Sequence, residues 1–530
     1  MNTHNTYNYT VVRQFARMTL VWGIVGMGIG VWAAAELAFP SLNLGIPWLS
    51  FGRLSPVHSS LLLFAFGGNA LFATSYYVVQ RTCHTRLFND GLAAFTFWGW
   101  QCVIVLALCT LPYGMTSGKA FAELEWPIDI LITIVWIAYA VVFFGTIVQR
   151  NTSYVYVANW FFGAYILAVA ALHILNSAAL PVGLWPMKSY SLYPGTVDAM
   201  VSAWYSQGLV DAFMPGAFFG VLYYFLPRQL GHPVYSYRLI VVQFWTFVSL
   251  ALWAASQHLL YTALPDWTQS LGMVCAVFLI APFLAGVING FMTVSADWHR
   301  LHSDIILRFL VLALFFYGVE GLEGVVTSIR SVNAFTQYTD WTVSHVHAAG
   351  LGWIGFLAFG AFYAMLPRLF NIEQMYSIPL ILLHFWFATV GTMLYLLALG
   401  GAGMVQSLMW YAQNDDGTLA YRFVESLQVS HPLYVVRLLG GMLYLAGMCL
   451  MTYNAWKTVA STLPKARKNE DSVSEVDSVI DHHPAEVHHD SHPPLDPRHG
   501  PHRPVDPRHS ANPHTGSQHS SESPAHHADH

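Results

Sequence analysis

The sequence is short of charge. Asp, Glu, Lys and Arg together make up only 10% of its 530 residues, whereas they make up roughly a quarter of an average soluble protein. Hydrophobic residues make up 55% of the chain. A soluble protein of this composition would need many helices buried on every side, so the composition favours a protein that lies in a membrane.

Cysteine and clustered basic residues are also scarce. The five cysteines form neither a Cys-x-x-Cys nor a Cys-x-x-Cys-His pattern, so the sequence indicates neither a disulfide framework nor the attachment of a c-type heme. The net charge is −5 and no run of lysines and arginines occurs. These absences leave no indication of a nucleic-acid partner.

Long apolar runs are what the sequence has instead. We count twelve, the first at 18–39 and the last at 432–454, and each is long enough to cross a bilayer as a helix. The predicted fold class is therefore an all-α integral membrane protein with about twelve transmembrane helices. Residues 1–460 form the predicted membrane domain.

Arginines and lysines occur mainly at one side of these predicted helices. They precede the first run (Arg13, Arg17) and follow the even-numbered runs, as at Arg81, Arg228 and Arg368. The positive-inside rule then predicts that both termini are cytoplasmic, which agrees with an even number of spans.

The composition changes after the last run. Residues 461–530 contain many prolines, a repeated Asp-Pro-Arg-His and 13 of the 25 histidines. A segment with so few apolar residues cannot form a packed core, so we expect a disordered cytoplasmic tail. Its histidines could bind a divalent metal, although a solvated low-complexity tail is the simpler interpretation.

Four histidines fall in the same half of the predicted membrane: His58 near the start of helix 2, His258 near the end of helix 7, and His345 and His347 near the start of helix 10. Ionisable side chains in membrane spans are costly and usually have a partner or a function. A single such histidine is more often a structural, hydrogen-bonded residue than a ligand. The His-x-His pair and its partner at the same depth favour ligation.

Neutral imidazoles next to helix faces rich in Gly and Ala indicate heme, because a flat macrocycle packs on small residues and iron accepts axial histidine. Positions two apart on a helix point about 200° apart, so His345 and His347 face opposite sides. His58 and one of this pair could therefore hold a low-spin heme, and the other a second heme with an open side.

Several stretches are similar to the catalytic subunit I of cbb3-type cytochrome c oxidases, in the heme–copper oxidase superfamily. They are LSFGRLSPVH, FAFGGNALFATSYYVVQRTC, AELEWPIDI, PVYSYRL, YTALPDW and YTDWTVSHVHAAGLGW. The resemblance implies a twelve-helix bundle with two b-type hemes. It assigns His58 and His347 to the low-spin heme and His345 to the high-spin heme.

The resemblance carries further expectations. Arg437 would neutralise a heme propionate, although an arginine that only extends towards the membrane surface explains it nearly as well. Glu123 or Glu125 resembles this subunit's part of a structural calcium site. The family also implies a bacterial inner-membrane location and membrane-anchored c-type cytochrome partners.

The sequence departs from the family at the copper site. The family holds copper with a histidine of a Trp-Tyr-Gly-His motif on helix 6 and an adjacent histidine pair on helix 7. Here helix 6 has Gln207, and helix 7 has Gln257 and His258 in place of the pair. Ala251 replaces a tyrosine that the family cross-links to the helix 6 histidine. Since a carboxamide oxygen is a poor substitute for imidazole, we expect no copper.

Carboxylates near this position offer an alternative metal site. Asp211 lies one helical turn after Gln207 on the same face, and Glu320 and Glu323 share a face of helix 9. With His258 they could hold a non-heme iron, as in nitric oxide reductases of the superfamily. Otherwise Asp211 is hydrogen-bonded to a neighbour, and the glutamates are structural or carry protons.

Three functions follow. The first is a diheme b-type cytochrome without distal copper, which acts in respiratory electron transfer or binds a diatomic gas. The second is an active terminal oxidase or nitric oxide reductase with an altered metal site. The third is a metal-handling or assembly protein that uses the tail. Whether the chain is an enzyme stays open, because Gln207, Gln257 and Ala251 replace the copper-site groups of an oxidoreductase family.

Overall fold

The computed structural model describes residues 7–460, and the predicted tail 461–530 lies outside them. Within the described residues, twelve helices are long and apolar enough to span a membrane. We number them α1 to α12: Tyr9–Ala38, Phe51–Cys83, Asp90–Thr110, Trp126–Val148, Val157–Asn176, Thr196–Leu230, Tyr237–Leu259, Asp266–Ser295, Ile305–Thr327, Asp340–Phe370, Ile378–Tyr411 and Phe423–Ala460. The predicted all-α membrane fold with twelve spans is confirmed.

Capping side chains set the starts of several helices. The Asn8 side chain accepts a hydrogen bond from Thr10 N at 3.1 Å, so α1 begins well before the apolar run at 18–39. Asp304 Oδ1 accepts from Leu307 N at 3.0 Å at the start of α9. These bonds satisfy backbone donors that lack an intrahelical acceptor.

Three helices lie inside the bundle. Helices α2, α6 and α10 are almost completely buried, whereas the other nine leave large apolar faces uncovered, as helices that face lipid do. Each inner helix contains a π-helical stretch: Leu61–Gly67, Gln207–Phe213 and Ala348–Gly355. Such stretches are frequent at functional sites. The first begins three residues after His58, the second contains Gln207 and Asp211, and the third begins directly after His347.

A small antiparallel hairpin lies in the loop between α5 and α6. Its strands are β1 (Ala179–Pro181) and β2 (Ser189–Ser191). The α3–α4 loop contacts it, because Lys188 Nζ lies 3.4 Å from Glu125 Oε1. We call this end of the bundle, at which the even-numbered helices begin, the hairpin end.

Candidate heme-binding site

The structure brings His58 of α2 and His347 of α10 together. Their ring centroids are 6.3 Å apart and their ring planes differ by only 16°. Both rings line a cavity of about 600 Å³ between α2, α10 and α12. Two spans that are far apart in the sequence therefore present parallel imidazoles to one space.

Backbone carbonyls orient both rings. His58 Nδ1 lies 2.9 Å from Gly26 O, and His347 Nδ1 lies 2.7 Å from Val343 O. Because a carbonyl oxygen only accepts, each Nδ1 carries the hydrogen and each Nε2 keeps its lone pair. A hydrogen bond of this kind fixes the tautomer of histidines that ligate metals.

A glycine of α1 makes room for the His58 ring. A Cβ atom at Gly30 would lie 2.2 Å from His58 Cε1, which is far inside van der Waals contact. Only glycine therefore allows α1 to pack against the imidazole in this position.

His345 lies on the other side of α10, against α9. Its Nδ1 is 3.6 Å from Glu323 Oε2, and a Cβ at Gly324 would lie 3.3 Å from its Cε1. Asp211 and Glu320 also interact electrostatically with this imidazole. The two histidines of the His-x-His pair thus contact different helices.

The residues predicted for the distal position lie on α6, α7 and α9, and Asp211 and His258 bring α6 and α7 into contact. His258 Nε2 lies 3.0 Å from Gln257 Nε2 and 3.5 Å from Asp211 Oδ2. Gln207 Oε1 and Gln257 Oε1 are buried without a hydrogen-bond partner in the described part of the chain. Nowhere in residues 7–460 do three or more His, Cys, Asp or Glu side chains form a group that could hold a metal ion.

Comparisons with known proteins show the family of the chain. The model of the family "Cytochrome C and Quinol oxidase polypeptide I" matches residues 10–443. The cbb3-type cytochrome c oxidase subunit CcoN1 of Stutzerimonas stutzeri is 58% identical over 462 residues, which cover 87% of this chain and 97% of the relative. This chain belongs to the cbb3-type oxidase subunit I family.

Other members of the family are also similar over most of their length. The cytochrome c oxidase subunit 1 homolog of Azorhizobium caulinodans is 46% identical over 453 residues, which cover 86% of this chain and 82% of the relative. A heme–copper terminal oxidase dimer solved by cryo-EM has the same fold, with a TM-score of 0.66 at 13% identity over 85% of this chain and 84% of that one.

Membership in the cbb3-type family confirms the sequence-based recognition. It implies heme cofactors, a place in electron transport and an oxidoreductase ancestry. Subunit I of cbb3-type oxidases functions with other membrane subunits such as cytochrome c subunits. The chain is therefore a membrane protein homologous to subunits of bacterial membrane oxidases.

In this cbb3-type subunit, Arg437 contacts a residue that the sequence did not single out. Arg437 Nε donates to Tyr395 OH at 3.0 Å, and the same hydroxyl lies 3.2 Å from His347 Nε2. Tyr395 lies in a long apolar stretch of α11 with no motif around it, so nothing in the sequence indicates its contact with the site. The role of Arg437 at a propionate stays a prediction.

The two glutamates of the predicted calcium site have different surroundings. Glu125 is buried, with Lys188 Nζ at 3.4 Å from Oε1 and Ser189 Oγ donating to Oε2 at 2.8 Å. Glu123 Oε1 instead accepts from Phe121 N at 3.0 Å, and burial raises the pKa of the Glu123 carboxyl. The calcium site stays a prediction, and Glu125 already forms an ion pair with Lys188.

Proposed function

We propose that this protein is a membrane diheme b-type cytochrome that lacks the distal copper and acts in respiratory electron transfer or in binding a diatomic gas. His58 and His347 are the proposed axial ligands of the low-spin heme, and His345 is the proximal ligand of the high-spin heme. One observation supports the proposal: the chain has these three histidines, whereas Gln207 and Gln257 stand at positions where the family has histidines that bind copper. We call the space around Gln207, Gln257 and His258 the distal pocket.

The histidine pair suits a heme. Each Nε2 is free of backbone contacts while each Nδ1 is hydrogen-bonded, and the rings share one cavity. If His347 Nε2 held a heme iron, the Tyr395 hydroxyl would have to give up its 3.2 Å contact with this nitrogen. The hydroxyl would keep the hydrogen bond that it accepts from Arg437 Nε. A heme bound there supplies reversible one-electron chemistry at a potential that the axial ligands and burial set.

The distal pocket does not suit copper. Copper in such a site needs several neutral nitrogen donors, and of the three positions that correspond to the family's copper ligands only His258 is a histidine. Its Nε2 is already 3.0 Å from the Gln257 amide nitrogen and 3.5 Å from Asp211 Oδ2. Ala251 cannot supply the phenol that family oxidases use with copper in splitting dioxygen.

The same groups suit a small polar ligand. Gln207 and Gln257 each carry amide N–H donors, of which Gln257 Nε2 already lies 3.0 Å from His258 Nε2, and both amide oxygens lack a hydrogen-bond partner among residues 7–460. Asp211 orients the His258 ring through its 3.5 Å contact. A diatomic gas at the open side of the His345 heme would therefore meet hydrogen-bond donors.

A second candidate is an enzyme with a non-heme metal in this pocket, either a nitric oxide reductase or a terminal oxidase. The contact between Asp211 Oδ2 and His258 Nε2 favours it, because a carboxylate and an imidazole are a ligand pair for iron. Glu320 or Glu323 would complete the site. The third function, metal handling by the tail, depends on residues outside 7–460.

The proposed location is the bacterial inner membrane, with both termini in the cytoplasm. The hairpin end then faces the periplasm, since the basic loops lie at the opposite end. A membrane-anchored c-type cytochrome would reach the hemes from the hairpin end.

Carbon monoxide binding tests the proposal. The full-length protein, purified in detergent and reduced with dithionite, should bind carbon monoxide at one of two hemes. His345→Ala should abolish this signal, whereas His58→Ala should leave it in place. Binding at neither heme, or at both in equal amount, contradicts the assignment of one open-sided iron to His345.

A further inference from the structure

A second cavity lies between α2, α3, α4, α5 and α6, and of the residues assigned above only Glu123 of the predicted calcium site lines it. It spans about 870 Å³, a volume that includes the open space at its mouth. Val57 and Leu61 line it from α2. His58 and Leu62 of the same helix instead line the cavity between α2, α10 and α12 described above, which we call the heme-side cavity. The second cavity is therefore on a different face of α2. We call it the α2–α6 cavity.

The α2–α6 cavity has a polar end and an apolar body. Glu123, Asp129, His173 and Tyr205 line it at the hairpin end. The body is lined by aromatic and aliphatic side chains, among them Phe64, Trp100, Ile104, Trp136 and Val169. A few polar groups at one end of an apolar cavity fix the orientation of a ligand that is itself mostly apolar.

The charges at the polar end limit the class of ligand. Two carboxyl side chains, Glu123 and Asp129, face the cavity there. The nearby Lys119 and Lys188 are paired with carboxylates, at 2.9 Å from Asp198 Oδ1 and 3.4 Å from Glu125 Oε1. This arrangement disfavours the anionic headgroup of a fatty acid or phospholipid. It favours a neutral ligand with hydroxyl or carbonyl oxygens.

Phe121 lies between the α2–α6 cavity and the heme-side cavity, because it lines both. Its backbone has φ +59°, in the left-handed region that a bulky residue adopts only when its surroundings hold it there. Here Phe121 N donates to Glu123 Oε1 at 3.0 Å, and Tyr205 OH lies 3.4 Å from Phe121 O. Residues of the polar end thus fix the position of the residue between the two cavities.

We propose that the α2–α6 cavity binds a quinone or quinol. A neutral ring with two oxygens matches the polar end, since carboxyl and phenol groups can donate to a quinone carbonyl or accept from a quinol hydroxyl. An isoprenoid tail matches the aromatic and aliphatic body. The inference does not rest on the diheme proposal, because it concerns a different face of α2.

Two valines of α3 provide a matched test. Val103 lines the cavity and is 4% exposed, whereas Val105 is 48% exposed on the outer surface. The full-length protein should bind one equivalent of ubiquinone-1. Val103→Phe fills the cavity and should weaken this binding at least tenfold, and Val105→Phe should leave it unchanged. The heme spectra of both variants report separately on folding and on the diheme proposal.

Photolabelling of the unmodified protein with an azido-ubiquinone keeps the test decisive if Val103→Phe fails to fold. The label should map to residues that line the cavity, in α2 to α6 or in the loop that contains Glu123. Labels confined to other regions overturn the proposal, and so does ubiquinone-1 binding that Val103→Phe leaves unchanged. Binding of oleate in place of ubiquinone-1 also overturns it and assigns the cavity to acyl chains.

Discussion

At the scale of single residues, Gly28 and Gly30 of α1 have different surroundings, because only Gly30 lies against another side chain. A Cβ at Gly30 would lie 2.2 Å from His58 Cε1, and one at Gly28 would meet nothing within 4 Å. Gly30→Ala should therefore displace the His58 ring and lower the low-spin heme content by at least half, whereas Gly28→Ala should keep it. The pyridine hemochrome assay and the reduced spectrum measure this. Equal heme content in the two variants would contradict the proposed ligation by His58.

The distal pocket allows a second prediction at this scale. Gln207→His and Gln257→His together place three imidazoles opposite His345, counting His258, which is the number that the family uses for copper. The double variant should gain copper towards one equivalent per chain, measured by mass spectrometry of the metals. Gln207→His alone is the control and should gain much less. A double variant without copper would show that more than the donor set has changed.

Sequence alone singled out His58, His345 and His347 as candidate heme ligands, because they lie in long motifs and the spacing of the last two fixes their relative directions. It could not identify Gly30 or Tyr395. Their importance comes from contacts between helices: Gly30 lies against His58, and Tyr395 OH is 3.2 Å from His347 Nε2. Such contacts depend on how helices pack, which the local pattern of a single helix does not contain.

At the scale of elements, helix α10 separates two environments. His347 contacts α2 and α11, while His345 contacts α9. His347→Ala should therefore abolish the low-spin spectrum and keep carbon monoxide binding, and His345→Ala should do the reverse. Absorption and carbon monoxide difference spectra distinguish the two outcomes, with each variant the control for the other. Loss of both signals in either variant would mean that the two faces do not act separately.

The π-helical stretches of α2, α6 and α10 are the elements that sequence analysis missed. A π-helical turn accommodates an extra residue in an otherwise regular helix, and an apolar run looks the same with or without it. The start of α1 at Tyr9 also lies before the apolar run at 18–39, because the Asn8 cap extends the helix. Helix number and order were predictable, but local register and exact ends were not.

At the scale of the whole molecule, the twelve apolar runs predicted a membrane bundle, because each is long enough to cross a bilayer. They could not indicate that α2, α6 and α10 lie inside, since inner and outer helices are both apolar in a membrane protein. The bundle places the proposed heme histidines, Gln207, Gln257 and Ala251 on these inner helices and on α7. The heme and metal content of the whole protein therefore distinguishes between the proposed functions.

The cofactor and metal content of the purified full-length protein tests the central claim most directly. Pyridine hemochrome analysis together with mass spectrometry of the metals should give two b-type hemes and less than about one tenth of a copper ion per chain, with no iron beyond that of the hemes. One copper ion per chain, a stoichiometric non-heme iron, or no heme at all would contradict the account.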